Sequence, residues 1–363
     1  MARIRAVFAA ALLFAPACAK AAAADLHVHL LMDASVPGVF RGHPGAGRRA
    51  KDRLDRFANQ IELKDLEASD VRLVAAALYS PAVLSTLRGG HARSLLKQIS
   101  AVEKWAAQDP RVSIVRSPEE AEAVLKSKEW RLGLILAAEG AGGADTSEKL
   151  DRLWDKGLRM LTITHFVDTA WGGTADVTYW PKLSCVPGGK DAGRLNAKGL
   201  SKTGEPLVDY AVAKGLLLDL AHSSDKTVLD VAKRHPEMPL LFTHSAAREL
   251  TPCERTISPE LLREVKRSRG MVGLTFSANY LGEDMAALLK HAAALAREAG
   301  PQALALGSDF NGTITRVEGV GDSSGYALVL KELRSAGIPT DRSAEAFVEL
   351  WKRTLSGARS KSP

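Results

Sequence analysis

A chain of 363 residues, 46% hydrophobic and 25% charged, has the composition of a globular protein long enough to bury a full core. Three cysteines are too few for a disulfide scaffold. A formal net charge of +7, without any Lys/Arg block interleaved with aromatics, gives no footing for a nucleic-acid partner, and the cluster Arg48, Arg49, Lys51, Arg53 is most simply a solvated loop.

At the N-terminus, Arg3 and Arg5 precede the apolar run Ala6–Phe14 and then small residues from Ala15 to Ala24. A basic start, a short apolar core and an Ala-x-Ala exit describe a secretory signal. A buried helix is the other reading, and the run is short for a bilayer span. Both Ala15-Pro16-Ala17 and Ala22-Ala23-Ala24 satisfy the small-residue rule; the division adopted is a signal over 1–24 and a single domain over 25–363. Loss of Arg3, Arg5 and Lys20 lowers the net charge from +7 to +4. Cys18 after Ala-Pro-Ala also permits a lipid anchor, although the usual Leu three residues earlier is missing. The expected location is periplasmic or extracellular, where Cys185 and Cys253 would be free to pair.

From residue 25, strand-like apolar runs occur at 25–30, 71–79, 132–138, 158–164, 215–221, 239–243, 270–276 and 303–308. Amphipathic segments at 92–107, 117–128, 147–156, 206–214, 225–234, 259–268 and 284–299 lie between them. Eight apolar runs separated by helices imply a parallel sheet covered on both faces, and eight parallel strands close a barrel. The predicted class is α/β, a (β/α)8 TIM barrel of the metal-dependent hydrolase type. An open doubly wound sheet is the alternative, but no Gly-x-Gly-x-x-Gly follows the first strand. Long loops at 31–54 and 166–200 would overlie the mouth.

Histidines and acids stand at the downstream ends of these runs. His27 and His29, two apart on one strand, project the same way and can grip a divalent metal. Glu139 ends the third run and could bridge two cations, or be an ordinary loop carboxylate. His165 ends the fourth. His222 and His244 end the fifth and sixth and would serve a second metal; either alone could be a core histidine bonded to backbone. Asp309 ends the eighth, where it could deprotonate a water or cap the following helix.

Four segments carry a resemblance. Leu158-Arg-Met-Leu-Thr-Ile-Thr-His165 with Thr169-Ala-Trp171, Leu217-Leu-Asp-Leu-Ala-His222-Ser-Ser, Phe242-Thr-His244-Ser-Ala-Ala-Arg248 and Gly307-Ser-Asp309-Phe-Asn-Gly312 resemble the membrane (renal) dipeptidase family of zinc peptidases, in family order. The resemblance covers about residues 25 to 355. It implies a (β/α)8 barrel with two Zn2+ that hydrolyses dipeptides, often with a D-residue at the C-terminal position. By the same resemblance His27 and His29 hold one zinc, His222 and His244 the other, and Glu139 bridges them. His165 would polarise the scissile carbonyl, Arg248 would hold the substrate carboxylate, and Asp309 would carry a proton from water to the leaving amine. The implied partner is a small dipeptide; a homodimer is left open.

Two departures bear on this. The family has His-x-Asp on strand one where His29 stands here, which makes the site more positive by one charge. Its strand-eight Asp-Phe-Asp-Gly reads Asp309-Phe310-Asn311-Gly312. His-x-His leaves room for a metal amidohydrolase acting on another small amide, lactam or ester. A non-catalytic zinc-binding envelope protein is a third reading, because fold alone does not establish activity.

Overall fold

The computed structural model describes residues 22–30, 60–80, 90–175, 194–313 and 315–359. Residues 1–21 of the expected leader, Cys18 among them, Cys185, and most of the two long loops lie outside the described residues.

Eight parallel strands form a closed ring. In order around it run β1 (Ala23–Val28), β2 (Val71–Tyr79), β4 (Leu132–Glu139), β5 (Leu158–Thr162), β6 (Leu217–Asp219), β7 (Leu241–Ser245), β8 (Met271–Leu274) and β9 (Leu304–Leu306), and β9 pairs back onto β1. Each coincides with one predicted run. A ninth strand, β3 (Val112–Ile114), lies beside the first residues of β4, outside the ring. It has three residues and only Val112 is buried, so no apolar run announces it.

All seven predicted helices are present. Four more, Leu63–Ala68, the single turn Ala278–Leu281, Tyr326–Ser335 and Ser343–Arg359, were not predicted. Side chains two apart on the strands, such as Leu73 with Ala75, Ile135 with Ala137, and Met160, Leu217, Leu241, Met271 and Ala305, form the inner core. Phe347 and Trp351 of the last helix join that core. The intervening strand residues pack outward onto the helices.

β1 departs from simple alternation. Between Asp25 and Val28 it advances three residues against two of β2, from Val74 to Ala76. The extra residue moves Val28 to the outer core, whereas Leu26 belongs to the inner one. Such a bulge re-aims the side chains beyond it, and His27 and His29 face the barrel mouth.

The strand also starts earlier than residue 25. Ala22, Ala23 and Ala24 are each 1% exposed. The Ala23 amide donates to Asp70, the Ala24 amide to Ser343 Oγ, and Ala344 donates to the Ala22 carbonyl. Cys253 is disulfide-bonded. No helix among the described residues is long and apolar enough to cross a membrane.

Candidate metal centre and active site

Glu139 is the hub. It continues the inward parity of Ile135 and Ala137 to the end of β4, so its carboxylate enters the barrel above the apolar core. Its Oε1 lies 3.3 Å from His27 Nε2, 3.4 Å from His165 Nε2, 3.5 Å from His222 Nε2 and 3.7 Å from His244 Nε2. Its Oε2 lies 3.4 Å from His29 Nε2. Two imidazole pairs approach nitrogen to nitrogen, His27 to His29 at 3.2 Å and His222 to His244 at 2.9 Å. Donor atoms so crowded, and all but one of these six residues buried, suit a cation between them better than one another.

Electrostatics agree at His165, His222 and His244, whereas at His27 burial is outweighed by the charge of Glu139, which lifts it above the ordinary imidazole range. Burial pushes His165 down to about 4, against the pull of Glu139. Burial, with Arg255 beside the first and His27 beside the second, holds His222 and His244 well below the ordinary imidazole range. Neutral imidazoles are the form that ligates metal. Burial would raise Glu139, but the surrounding histidines, His165 foremost, keep it well below the usual carboxylate range. Two donor sets emerge, His27–His29–Glu139 and Glu139–His165–His222, with His244 against the second.

Asp309 stands on the rim, its Oδ1 3.4 Å from His29 Nε2. Its φ is 57°, and His222 and Asn311 share this left-handed conformation at 64° and 63°. Non-glycine residues held there cluster at functional sites, because the surroundings must enforce them. The enforcement is visible. Ala175 N and Thr174 Oγ1 donate to the His222 carbonyl at 2.7 and 2.9 Å. Asn311 Nδ2 donates to the His29 carbonyl at 2.9 Å, while its Oδ1 accepts from the Gln60 amide at 3.0 Å. An ionised aspartate could not make that donation. Gly312 is needed beside them, since a Cβ there would sit 2.1 Å from Asp309 Oδ1 and 2.5 Å from the His29 ring.

The two arginines beyond β7 differ. Arg248 is spent on structure: its guanidinium forks onto Asp225 at 2.5 and 2.7 Å and donates to the carbonyls of Glu254 and Thr256. It braces the 248–256 loop and does not join the histidine cluster. Arg255, buried at 4% exposure, does. Its Nη2 donates to His222 Nε2 at 3.1 Å and Nη1 to the His244 carbonyl at 3.0 Å. Its Nε is buried without a protein partner, and its guanidinium carbon lies 5.4 Å from the Tyr280 ring centre. Beside Glu139 and His165 opens a cleft of about 270 Å³, walled by Tyr79, His91, Phe166 and Val167 with Asp145 among its lining.

Residues 16–346 match the family model described as membrane dipeptidase, peptidase family M19. The chain belongs to that family. It is therefore a member of a metallo-dipeptidase family. It is 29% identical over 233 residues to an uncharacterised protein of the pqqA 5′ region of Klebsiella pneumoniae, covering 62% of this chain and 81% of the relative. It is 27% identical over 278 residues to an uncharacterised dipeptidase of Schizosaccharomyces pombe, covering 72% of this chain but 62% of that protein's own length. A metallopeptidase of Rhodobacter sphaeroides, solved with a phosphinate mimic of the dipeptide L-Ala-D-Ala, shares the fold: TM-score 0.73 at 23% identity, over 92% of this chain and 99% of that one.

Within this dipeptidase-family chain, seven of the eight residues picked from sequence come together and Arg248 does not. Arg255 was missed, since it sits in an irregular loop with no periodicity to flag it. Asp219 and Thr243 were also passed over. Their signal was present, a polar residue inside each of two buried apolar runs.

Proposed function

We propose that this protein is an exported dipeptidase whose barrel mouth holds two zinc ions, one between His27, His29 and Glu139 and the other between Glu139, His222 and His244. The observation that carries this is the single carboxylate faced by five imidazole nitrogens within 3.7 Å. Bound there, the zinc pair would supply Lewis acidity and lower the pKa of water from about 15.7 toward 7.

The chain's own residues supply the rest. Neutral His165, at the rim, hydrogen-bonds the oxyanion that develops on the scissile carbonyl, a contribution on the order of 3 kcal/mol. Asp309 takes the proton of the attacking water and returns it to the leaving amine. Arg255 replaces Arg248 as the holder of the substrate carboxylate: it is buried at the cluster, and its unpartnered Nε leaves a donor for an anion. The cleft walled by Tyr79 and Phe166 suits a side chain of modest size. That the Rhodobacter neighbour binds a mimic of L-Ala-D-Ala supports tolerance of a D-residue at the C-terminal position.

The decisive substrates are L,L and L,D dipeptides, the same dipeptides amidated at the carboxyl end, and their lactam counterparts. Cleavage of free dipeptides with sharp loss on amidation supports the proposal. Preference for lactams or amidated substrates would favour the second reading, another amidohydrolase, for which the His-x-His of strand one speaks.

Export rests on the leader and on the disulfide at Cys253. We place the leader's end after Ala17, since Ala22 is buried and Ala23 and Ala24 open β1, which makes Cys18 the first residue of the processed chain.

A further inference from the structure

Beneath the histidines lies a polar layer inside the barrel. Asp219 of β6 and Thr243 of β7 continue the inward parity of Leu217 and Leu241, and both are 0% exposed. Asp219 accepts four hydrogen bonds. The Ala221 and Thr243 amides donate to its Oδ1 at 3.0 and 2.9 Å, and the Thr162 and Thr243 hydroxyls to its Oδ2 at 2.5 and 2.8 Å. Four donors fill the lone pairs of a carboxylate, so Asp219 acts as an acceptor only.

The Thr243 hydroxyl has one proton, and Asp219 takes it. Its oxygen is then left to accept, and two ring nitrogens lie against it: His244 Nδ1 at 2.9 Å and His27 Nδ1 at 3.2 Å. Both must be the N–H of their rings. A ring protonated at Nδ1 presents a lone pair at Nε2, and both Nε2 atoms face Glu139.

We infer that the Thr243 hydroxyl, with its proton committed to Asp219, is a positioning group that fixes the Nδ1–H tautomer of one histidine in each metal-binding set. The inference rests on the two-metal reading above. It reassigns the close approach of His27, Asp219 and His244, whose donor atoms fall within 4.8 Å of one another, from a third metal site to a hydrogen-bond relay. Outer partners of this kind fix ring orientation, and their loss costs about 10–100-fold in metal affinity. One hydroxyl serving both sets couples them, so its removal weakens both metals together.

Two measurements test this. The first is the ring-nitrogen NMR of histidine-labelled, metal-free wild-type protein at alkaline pH, assigned with single histidine variants. His27 and His244 both protonated at Nδ1 support the inference; Nε2–H in either overturns it, whatever the metal content. The second is zinc affinity and stoichiometry of Thr243→Val and Thr243→Ser by competition with a chromophoric chelator. The valine variant should bind both zinc ions about 10–100-fold more weakly, and the serine variant should recover wild-type affinity. Thr243→Val with two zinc ions at wild-type affinity would overturn the inference. Should the valine variant fail to fold, the tautomers decide. Wild-type protein that binds fewer than two metals sinks the two-metal reading, while the tautomer spectrum still judges the hydroxyl.

Discussion

Asp309 and Arg255 make separable contributions to turnover. The Asp309 carboxylate approaches the cluster at His29 Nε2, at 3.4 Å, while its backbone amide holds the His27 carbonyl, so replacing the side chain alone removes a proton carrier and leaves Glu139 and the histidines in place. Asp309→Asn should lower kcat about 10²–10⁴-fold with metal content unchanged; a fall in bound metal would show Asp309 to be a ligand instead. Arg255→Met should raise KM and cancel the preference for free over amidated dipeptides. Arg248→Gln, losing the brace to Asp225, should act through stability, seen as a lower Tm with the preference intact. The reverse pattern would restore Arg248 as the clamp. The histidines and acids were legible in the sequence because strand ends are where a parallel barrel gathers its chemistry. The resemblance named Arg248 and not Arg255; both follow β7 in an irregular loop, and only the structure separates them, pairing Arg248 with Asp225 and Arg255 with His222.

At the level of elements, the inner surface carries the site in layers: apolar core, then Asp219 with Thr243, then the imidazoles. Parity along β4, β6 and β7 was readable from the period of two. The bulge in β1 was not. It sits at Asp25, whose Oδ1 accepts from the His27 and Ser308 amides and whose Oδ2 accepts from the Tyr326 hydroxyl. The contacts to Ser308 and Tyr326 are distant in sequence. Another distant contact joins the helix Met285–Ala299 to the loop after β7, where His291 Nδ1 accepts the Ala247 amide at 3.1 Å. Burial lowers His291 to about 4, outweighing Glu249 nearby. The folded state therefore binds fewer protons here than the unfolded chain, and stability falls as pH drops from about 6.5 toward 4. In His291→Asn, whose side-chain oxygen can accept the same amide, the loss of Tm over that window should be smaller than in wild type. Equal losses would clear His291 of the effect.

Over the whole molecule, all eight ring strands and the seven interleaved helices followed from hydrophobic patterning. Patterning could not place the ends. The helix Ser343–Arg359 contributes Phe347 and Trp351 to the inner core, and Ser343 holds the backbone of Ala24. A run of alanines behind a signal-like segment reads as a cleavage site, yet Ala23 and Ala24 open β1. The prediction is that protein recovered from an exporting host begins at Cys18, with or without added lipid mass. A mature chain beginning at Asp25 would contradict it, and would have lost Ala22 and the strand residues Ala23 and Ala24, each 1% exposed.

In the proposed function, one carboxylate and a ring of imidazoles hold two metals that this chain uses for dipeptide hydrolysis. Metal content and dipeptide turnover, measured on the same preparation before and after chelation and zinc restoration, test it most directly. Two zinc equivalents are expected, with turnover lost on their removal and regained on their return. Turnover that survives chelation, or two bound zinc ions with no cleavage of any dipeptide, would contradict it.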